Sequence, residues 1–340
     1  MRDSVRLTVA AAEALVVAAL CTARTSRENA LATARALLAA EIDGQAAHGL
    51  SRVASYALQS SAGKVDGFAV PVVARVAGAA LRIDAANGVV YPAINAAVDA
   101  LVPLARESGI AIAAIHRSHH FGQVGAHVEQ LARRGLFGIA LANSPKAMAF
   151  WGGRAPMLGT NPIAFGAPLP GDRQAPLVVD LAMTVAARGK IISAQKAGRA
   201  IPAEWAVGAD GRPTTDASAA LQGSLLPIGG AKGGALALMI EILAAAVTGS
   251  AFGWEASSMF DDQGGPPNLG QVLIGIDVGK LSAQHYLHRM STLLSAMANE
   301  PDVRLPGARR LELRAQAIRD GMAIPAALHQ EITALATQGS

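Results

Sequence analysis

Residues 111–143 read AIAAI, then HRSHHFGQVGAH, then a helical stretch, then LFGIALAN. This pattern limits the possible folds more than any other part of the chain. AIAAI, 111–115, is a short apolar run and reads as a buried strand; 125–134 has helical spacing; Gly135 is a C-cap; and 136–143 is a second strand. A β–loop–α–β run of this kind is a candidate cofactor-binding unit. Yet the glycine fingerprint GxGxxG is absent from the whole chain. A dinucleotide bound here would need a different loop from the usual one.

The flanking segments extend the same reading. Ala and Leu recur at helical spacing over 8–22 and 28–40, and Thr25-Ser-Arg-Glu28 between them reads as a capping box. A further helix is expected to start near His48. Short strands are expected at 70–76 and 79–84, a helix at 92–108 ended by Gly109, strands at 175–182 and 271–277, and helices holding ARGKI and spanning 233–248 and 282–298. Residues 197–230 and 304–310 read mainly as loop, and the chain ends in helices. The ends are helical and the middle is mixed, which places the chain in the α/β (α+β) class.

Composition excludes several function classes. Hydrophobic residues make up 51% and charged residues 16% of 340, so the chain can bury a large core and is not disordered. The net charge of +4 is spread without a basic run, so nucleic acid is not an expected partner; a basic cleft for a small anion fits better. The single cysteine, Cys21, cannot make an internal disulfide and is expected to be a buried small hydrophobe. The greasy stretch 234–249 carries Glu241 at its middle and is too short to span a membrane, so no membrane partner is expected. No signal peptide is evident, and a cytoplasmic location is expected.

Four of the eight histidines lie in 116–127. Adjacent His119 and His120 point to opposite sides of an extended segment, no HExxH or cysteine pair accompanies them, and no metal is expected. The alternative is a ligand cradle. Phe121-Gly122 allows close backbone approach, and Gly125 opens a helix whose N-terminus favours anions. In AAHGLSR, His48 and Arg52 are four apart and share a face if the segment is helical. Histidine can donate a proton near neutral pH, and arginine can grip a carboxylate with two parallel hydrogen bonds. A reductase of α-keto or α-imino acids needs such a pair. A solvent-exposed histidine beside a surface salt bridge is the competing reading.

AHGLSR, RSHHFGQVGAH, GTNPIAFGAP, VVDLAMTVAARGKI, LPIGGAKGGAL and RLPGARR together resemble, in this order, the malate/L-lactate dehydrogenase type-2 oxidoreductase family, over about residues 8–335. Within it the chain is most similar to the Δ1-piperideine-2-carboxylate/Δ1-pyrroline-2-carboxylate reductases, a likeness that extends to VDGFAVPVV and RIDAANG. The resemblance implies a non-Rossmann NAD(P)H-binding fold, with a largely antiparallel sheet flanked by helices and a helical domain built from both chain ends. It implies a homodimer. Residues 1–70 and 282–340 would form the helical domain with the dimer contacts. Residues 71–115 and 225–281 would form the mixed sheet region, and 116–224 the NADPH and substrate cleft.

Site roles follow from the same resemblance. His48 is matched to the proton donor, and Lys190 stands at a catalytic relay position. Arg52 and Thr160 are matched to substrate binding. The cofactor positions are His120, Phe121, Gly122, Gln123 and Val124; Asp180, Leu181 and Ala182; Arg188 and Gly189; Lys232; and Arg304, Leu305, Pro306, Gly307, Ala308, Arg309 and Arg310. NADPH is the expected cofactor, with NADH as an alternative, and the partner is a small 2-imino or 2-keto acid. The expected reaction reduces Δ1-piperideine-2-carboxylate to L-pipecolate and Δ1-pyrroline-2-carboxylate to L-proline; reduction of a 2-keto acid is the alternative. Two departures from the reductases stand out. Ala47 replaces the serine before the proton donor, and Lys190 replaces a relay aspartate. A cation near His48 would lower its pKa, whereas a carboxylate would raise it.

Overall fold

The computed structural model describes residues 4–171, 175–283 and 285–337. The outermost positions of the expected helical domain, 1–3 and 338–340, and residue 284 within it, lie outside the described residues, as do 172–174 of the expected cleft region.

Strand β1 (Ser4–Leu7) precedes helices α1 (Val9–Thr22) and α2 (Arg27–Ile42). Two 3₁₀ turns, Ala46–His48 and Leu50–Arg52, lead into α3 (Val53–Ser61). Then come β2 (Val72–Ala77), β3 (Ala80–Asp84), α4 (Val90–Ser108), β4 (Ile110–Ser118), α5 (Val124–Arg133) and β5 (Leu136–Ala142). The Gly- and Pro-rich stretch that follows holds β6 (Met148–Ala149), β7 (Pro156–Leu158), β8 (Ile163–Ala167) and β9 (Leu177–Leu181). Next are α6 (Arg188–Lys196), β10 (Ala206–Val207), α7 (Ala217–Gln222), β11 (Ser224–Leu225) and α8 (Ala231–Glu241), which a π turn, Ile242–Ala246, extends. The chain closes with β12 (Leu269–Asp277), α9 (Val278–Ser282), α10 (Tyr286–Ala298), α11 (Ala308–Asp320), β13 (Met322–Pro325) and α12 (Ala326–Thr337).

The main sheet has seven strands in the order β2-β3-β4-β12-β5-β8-β9. Only β3 and β4 pair in parallel; the other five pairs are antiparallel. The β4–α5–β5 unit read from sequence is present, but its strands are not neighbours. Strand β12 lies between them, with Ile274 opposite both Ile112 and Ile139. The crossover helix α5 therefore spans a gap filled by a strand more than a hundred residues later. A smaller sheet, β10-β11-β6-β7, has its own apolar core around Met148, Leu158, Ile191 and Leu225. The larger core runs continuously from α1 and α2 through α4 to the inner face of the main sheet. The two ends of the chain meet in the antiparallel pair β1–β13, with Ser4 opposite Pro325, and α1 packs on α12.

Several local expectations change. Ser26, not Thr25, caps α2: its Oγ accepts the Asn29 N–H at 3.2 Å, because Ser26 is the last extended residue before the helix. No continuous helix starts at His48. The chain there runs against α2 so closely that a Cβ at Gly49 would lie 2.2 Å from Glu41 Oε2, and the two 3₁₀ turns break at that glycine. Cys21 is exposed, on the outward side of the last turn of α1, while its neighbour Leu20 is buried. RLPGARR is loop only to Gly307; Ala308, Arg309 and Arg310 open α11. The span 197–230 also contains α7 and two short strands, and β13 separates the terminal helices.

Candidate active site

His48 stands on the first 3₁₀ turn, and its Nδ1 lies 3.2 Å from His120 Nε2. The two rings stack with centroids 5.2 Å apart. His120 Nδ1 is 2.7 Å from the Tyr56 hydroxyl, which lies 3.1 Å from the Tyr91 hydroxyl. A hydrogen-bonded chain thus runs inward from His48 to Tyr91, and it leaves His48 Nε2 as the nitrogen available to a substrate. Burial, and secondarily the nearby Arg52 charge, hold the His48 pKa down to about 4. Burial holds His120 well below the usual histidine range and pushes Tyr56 up to about 12. At neutral pH His48 therefore rests as an uncharged imidazole. Its lowering cation is Arg52; Lys190 does not contribute.

Arg52 occupies the second 3₁₀ turn. Its Nε donates to the Ala47 carbonyl at 2.8 Å, and its guanidinium carbon lies 4.6 Å from the centroid of the Phe260 ring. Among the described residues neither Nη group has a hydrogen-bond partner, so Arg52 offers its terminal edge to an anion. His48 and Arg52 come together through consecutive turns, not through the shared helix face expected from their spacing.

Thr160 lies on a second wall. Its N–H donates to Ser144 Oγ at 3.0 Å, and the two hydroxyls are 3.3 Å apart. Ser144 follows β5 and His119 follows β4, while β12 begins between them with Leu269 opposite Ser118. The strands leading to Ser144 and His119 therefore finish at the same end of the sheet, roughly 10 Å apart, twice the spacing of neighbouring strands. Buried Glu241 fixes the second wall. It accepts from Asn161 Nδ2 at 2.8 Å, from Gly253 N–H at 2.7 Å and from Asn143 Nδ2 at 3.4 Å.

The remaining expected positions form separate groups. His120, Phe121, Gly122, Gln123 and Val124 are all buried, and Phe121 packs on His127. The α5 N-terminus is already occupied by an anion of the chain itself, for Asp180 accepts the Gly125 N–H at 2.8 Å. The anion cradle expected at Gly125 is thus filled by a carboxylate. Leu181, Ala182, Arg188, Gly189, Lys190 and Lys232 are exposed; Lys190 Nζ lies 5.9 Å from the centroid of the Trp205 ring. Arg304, Leu305, Pro306, Ala308 and Arg309 are exposed and Gly307 is half-buried. Arg310 is buried against Asp43 and Glu129, and its Nε and Nη2 have no partner. Those orphaned donors face Gly307, where a Cβ would lie 3.7 Å from Nε and 3.5 Å from the Val178 carbonyl.

Residues 7–333 match the malate/L-lactate dehydrogenase family. The chain belongs to that family. It is 48% identical to a (2R)-3-sulfolactate dehydrogenase (NADP(+)) of Chromohalobacter salexigens, over 96% of both chains. It is 42% identical to a Δ1-pyrroline-2-carboxylate/Δ1-piperideine-2-carboxylate reductase of Pseudomonas putida, over 84% of this chain and 83% of that protein. The structure of Δ1-piperideine-2-carboxylate reductase from Pseudomonas syringae superposes with a TM-score of 0.92 at 39% identity, covering 97% of this chain and 99% of that one.

As a member of this family the protein is an oxidoreductase, and the imidazole beside an unpaired guanidinium suits proton transfer at a nitrogen or oxygen bonded to the carbon next to a carboxylate. Sequence reading missed Tyr56, Tyr91, Phe260 and the anchoring role of Glu241. A charge in the middle of the greasy stretch 234–249 was the one visible signal for Glu241, since a buried carboxylate needs partners. The family resemblance assigns His120 to cofactor contact; its hydrogen bond to His48, 72 residues away, has no local signature.

Proposed function

We propose that the protein is an NADPH-dependent reductase of cyclic 2-imino acids, converting Δ1-piperideine-2-carboxylate to L-pipecolate and Δ1-pyrroline-2-carboxylate to L-proline. The observation that carries this reading is the unpaired edge of Arg52 next to half-buried, neutral His48, with an aromatic face rather than a second charge over the guanidinium. Arg52 holds the substrate carboxylate, and Thr160 supports it from the opposite wall. Burial is the larger cause that depresses His48; a carboxylate on Arg52 offsets the lesser one, the Arg52 charge, and to that extent favours a proton on His48. His48 then delivers that proton to the ring nitrogen, and His120 and Tyr56 hold the imidazole in place. Lys190 is a further catalytic candidate, held at rest over Trp205.

Bound NADPH would supply the hydride. The orphaned Arg310 donors beside Gly307 fit one of its phosphates, and Arg304 and Arg309 suit the 2′-phosphate. The exposed Lys232 and Arg188-Gly189, and the segments 120–124 and 180–182, would complete the site; NADH is the alternative cofactor. We read the chain-end helices, 1–70 with 282–340, as the part that meets a second copy in a cytoplasmic homodimer. Helix α10 supports this, because it has no buried residue and exposes Leu287 and Leu293. Residues 116–224 are read as the cleft region, but they also supply β5, β8 and β9 to the main sheet, which 71–115 and 225–281 alone do not complete.

A second reading is reduction of 2-keto acids, with 3-sulfopyruvate the first to try. It is favoured by the 48% identity to a sulfolactate dehydrogenase, and by Ala47 and Lys190. NADPH consumption with Δ1-piperideine-2-carboxylate, pyruvate and 3-sulfopyruvate run side by side separates the readings. The imine is expected to turn over fastest; a faster keto acid replaces the first reading by the second. His48→Ala is expected to abolish turnover while NADPH binding persists, and near wild-type rates in that variant would remove His48 from the reaction.

A further inference from the structure

We propose that Phe260 is a specificity-determining residue: it is the apolar wall on which the substrate's ring packs while Arg52 holds its carboxylate. The inference rests on the cyclic imino-acid reading and assigns a residue that the sequence does not single out.

Phe260 lies on the irregular segment between the π turn and β12, and it is 55% exposed. It does not fill a core. Its ring stands over the Arg52 guanidinium, at 4.6 Å from ring centroid to carbon. That geometry covers one face of Arg52 and leaves its terminal edge open. A carboxylate bound at that edge places the rest of a small substrate beside the exposed phenyl surface. The methylene groups of a five- or six-membered imine ring would gain apolar contact there. The methyl group of pyruvate is too small to gain as much, and a sulfonate would meet the electron-rich ring face unfavourably.

The loop carrying Phe260 is held by groups that the reaction does not use. Lys64 is 4% exposed, and its ammonium donates to three backbone carbonyls, those of Ser258 at 2.8 Å, Asp261 at 3.1 Å and Gln263 at 2.6 Å. A buried ammonium is tolerated only when it is fully hydrogen-bonded. These three bonds fix the backbone on both sides of residue 260, and the ammonium also pairs with the Asp261 carboxylate at 3.5 Å. Gln59 adds a second anchor. Its Nε2 donates to the Met259 carbonyl at 3.0 Å, and its Oε1 pairs with His119 Nε2 at 3.1 Å. The Phe260 loop is therefore tied to the histidine loop through Gln59. Phe260 is the large side chain this clamp leaves unpacked. Lys64 and Gln59 are positioning residues for it.

The test compares Phe260→Ala with wild type, using Δ1-piperideine-2-carboxylate and pyruvate and measuring kcat, KM and the NADPH Kd. For the imine, KM is expected to rise by about tenfold or more while kcat stays within about twofold. For pyruvate, kcat/KM should change by less than about threefold, and the NADPH Kd should not move. Phe260→Tyr, which keeps the ring, should restore the imine KM. Lys64→Met should raise the imine KM in the same way, with a loss of thermal stability that Phe260→Ala does not share. If wild type reduces the imine and Phe260→Ala leaves its KM unchanged, this inference fails and the substrate reading stands. If wild type reduces a keto acid and not the imine, the substrate reading fails and the inference falls with it.

Discussion

His48, His119, His120 and His127 are buried or largely so without an acidic partner, and burial is the first cause of every downward shift among them. His48 and His127 titrate at about 4 and His119 at about 3. In the unfolded chain the same groups take up protons near the ordinary histidine value of about 6.5. As pH falls through that value the unfolded state binds protons and the folded state does not, so stability is lost. The loss levels off once pH passes below the folded values. Each such histidine lowers stability by about 1.4 kcal/mol per pH unit within that window. Urea midpoints measured at about pH 7 and about pH 5 should therefore differ strongly. His119→Gln, which keeps a donor for Gln59 Oε1, should flatten the dependence by one proton. Equal slopes for wild type and variant would mean that His119 is charged in the folded protein.

At the level of elements, Glu241 shows how one helix end holds a site together. It is the last α-helical residue of α8, just before the π turn, and it gathers donors from segments following β5, β7 and α8. Glu241→Gln would turn an amide group toward one of those donors. We expect a cost of about 1–3 kcal/mol, read as a lower melting temperature, and a raised KM as the Ser144–Thr160 wall loosens. An unchanged KM would show that the wall is fixed by other contacts. Local elements were well marked in the sequence: α4 with its Gly109 cap, α5, β5 and β9 fall within two or three residues of their apolar patterns. The placement of β12 between β4 and β5 was not, because strand order depends on pairing across more than a hundred residues. His48 and Arg52 were identified by residue type, but the helix assumed to join them is absent. Gly49 packs against Glu41, a constraint set by α2 and not by the segment's own pattern. Tyr56 and Phe260 reach the site only through the fold.

At the scale of the whole molecule, one buried ion cluster joins the N-terminal helices, the middle of the chain and the C-terminal helices. Asp43 follows α2, Glu129 lies on α5, and Arg310 and Arg314 lie on α11. Arg314 bonds both carboxylates at 2.7–2.9 Å, and Arg310 contacts both as well. Asp43 is fully buried, with a side-chain exposure of 0%. Burial alone would raise the Glu129 pKa, but Arg314 and Arg310 hold it down to about 2. The stability this pairing adds is present above the ordinary glutamate pKa and is lost as pH falls from there toward 2. Arg314→Met removes the guanidinium that closes the cluster and leaves Asp43 with Arg310 and Gln123, and Glu129 with Arg310 and Arg133. Breaking a buried pair from one side costs about 3–5 kcal/mol, so a fall of several degrees in melting temperature is expected. The same change should affect NADPH more than substrate. Arg310 would be drawn further onto the carboxylates, and its orphaned Nε and Nη2 beside Gly307 are the donors assigned to a cofactor phosphate. Calorimetry and NADPH titration of Arg314→Met therefore test both halves. A fall in melting temperature with an unchanged NADPH Kd would leave the cluster purely structural and move the phosphate to Arg304 and Arg309. A weaker Kd, with the substrate KM held, would make this cluster the link between how the chain ends dock and how the cofactor is held.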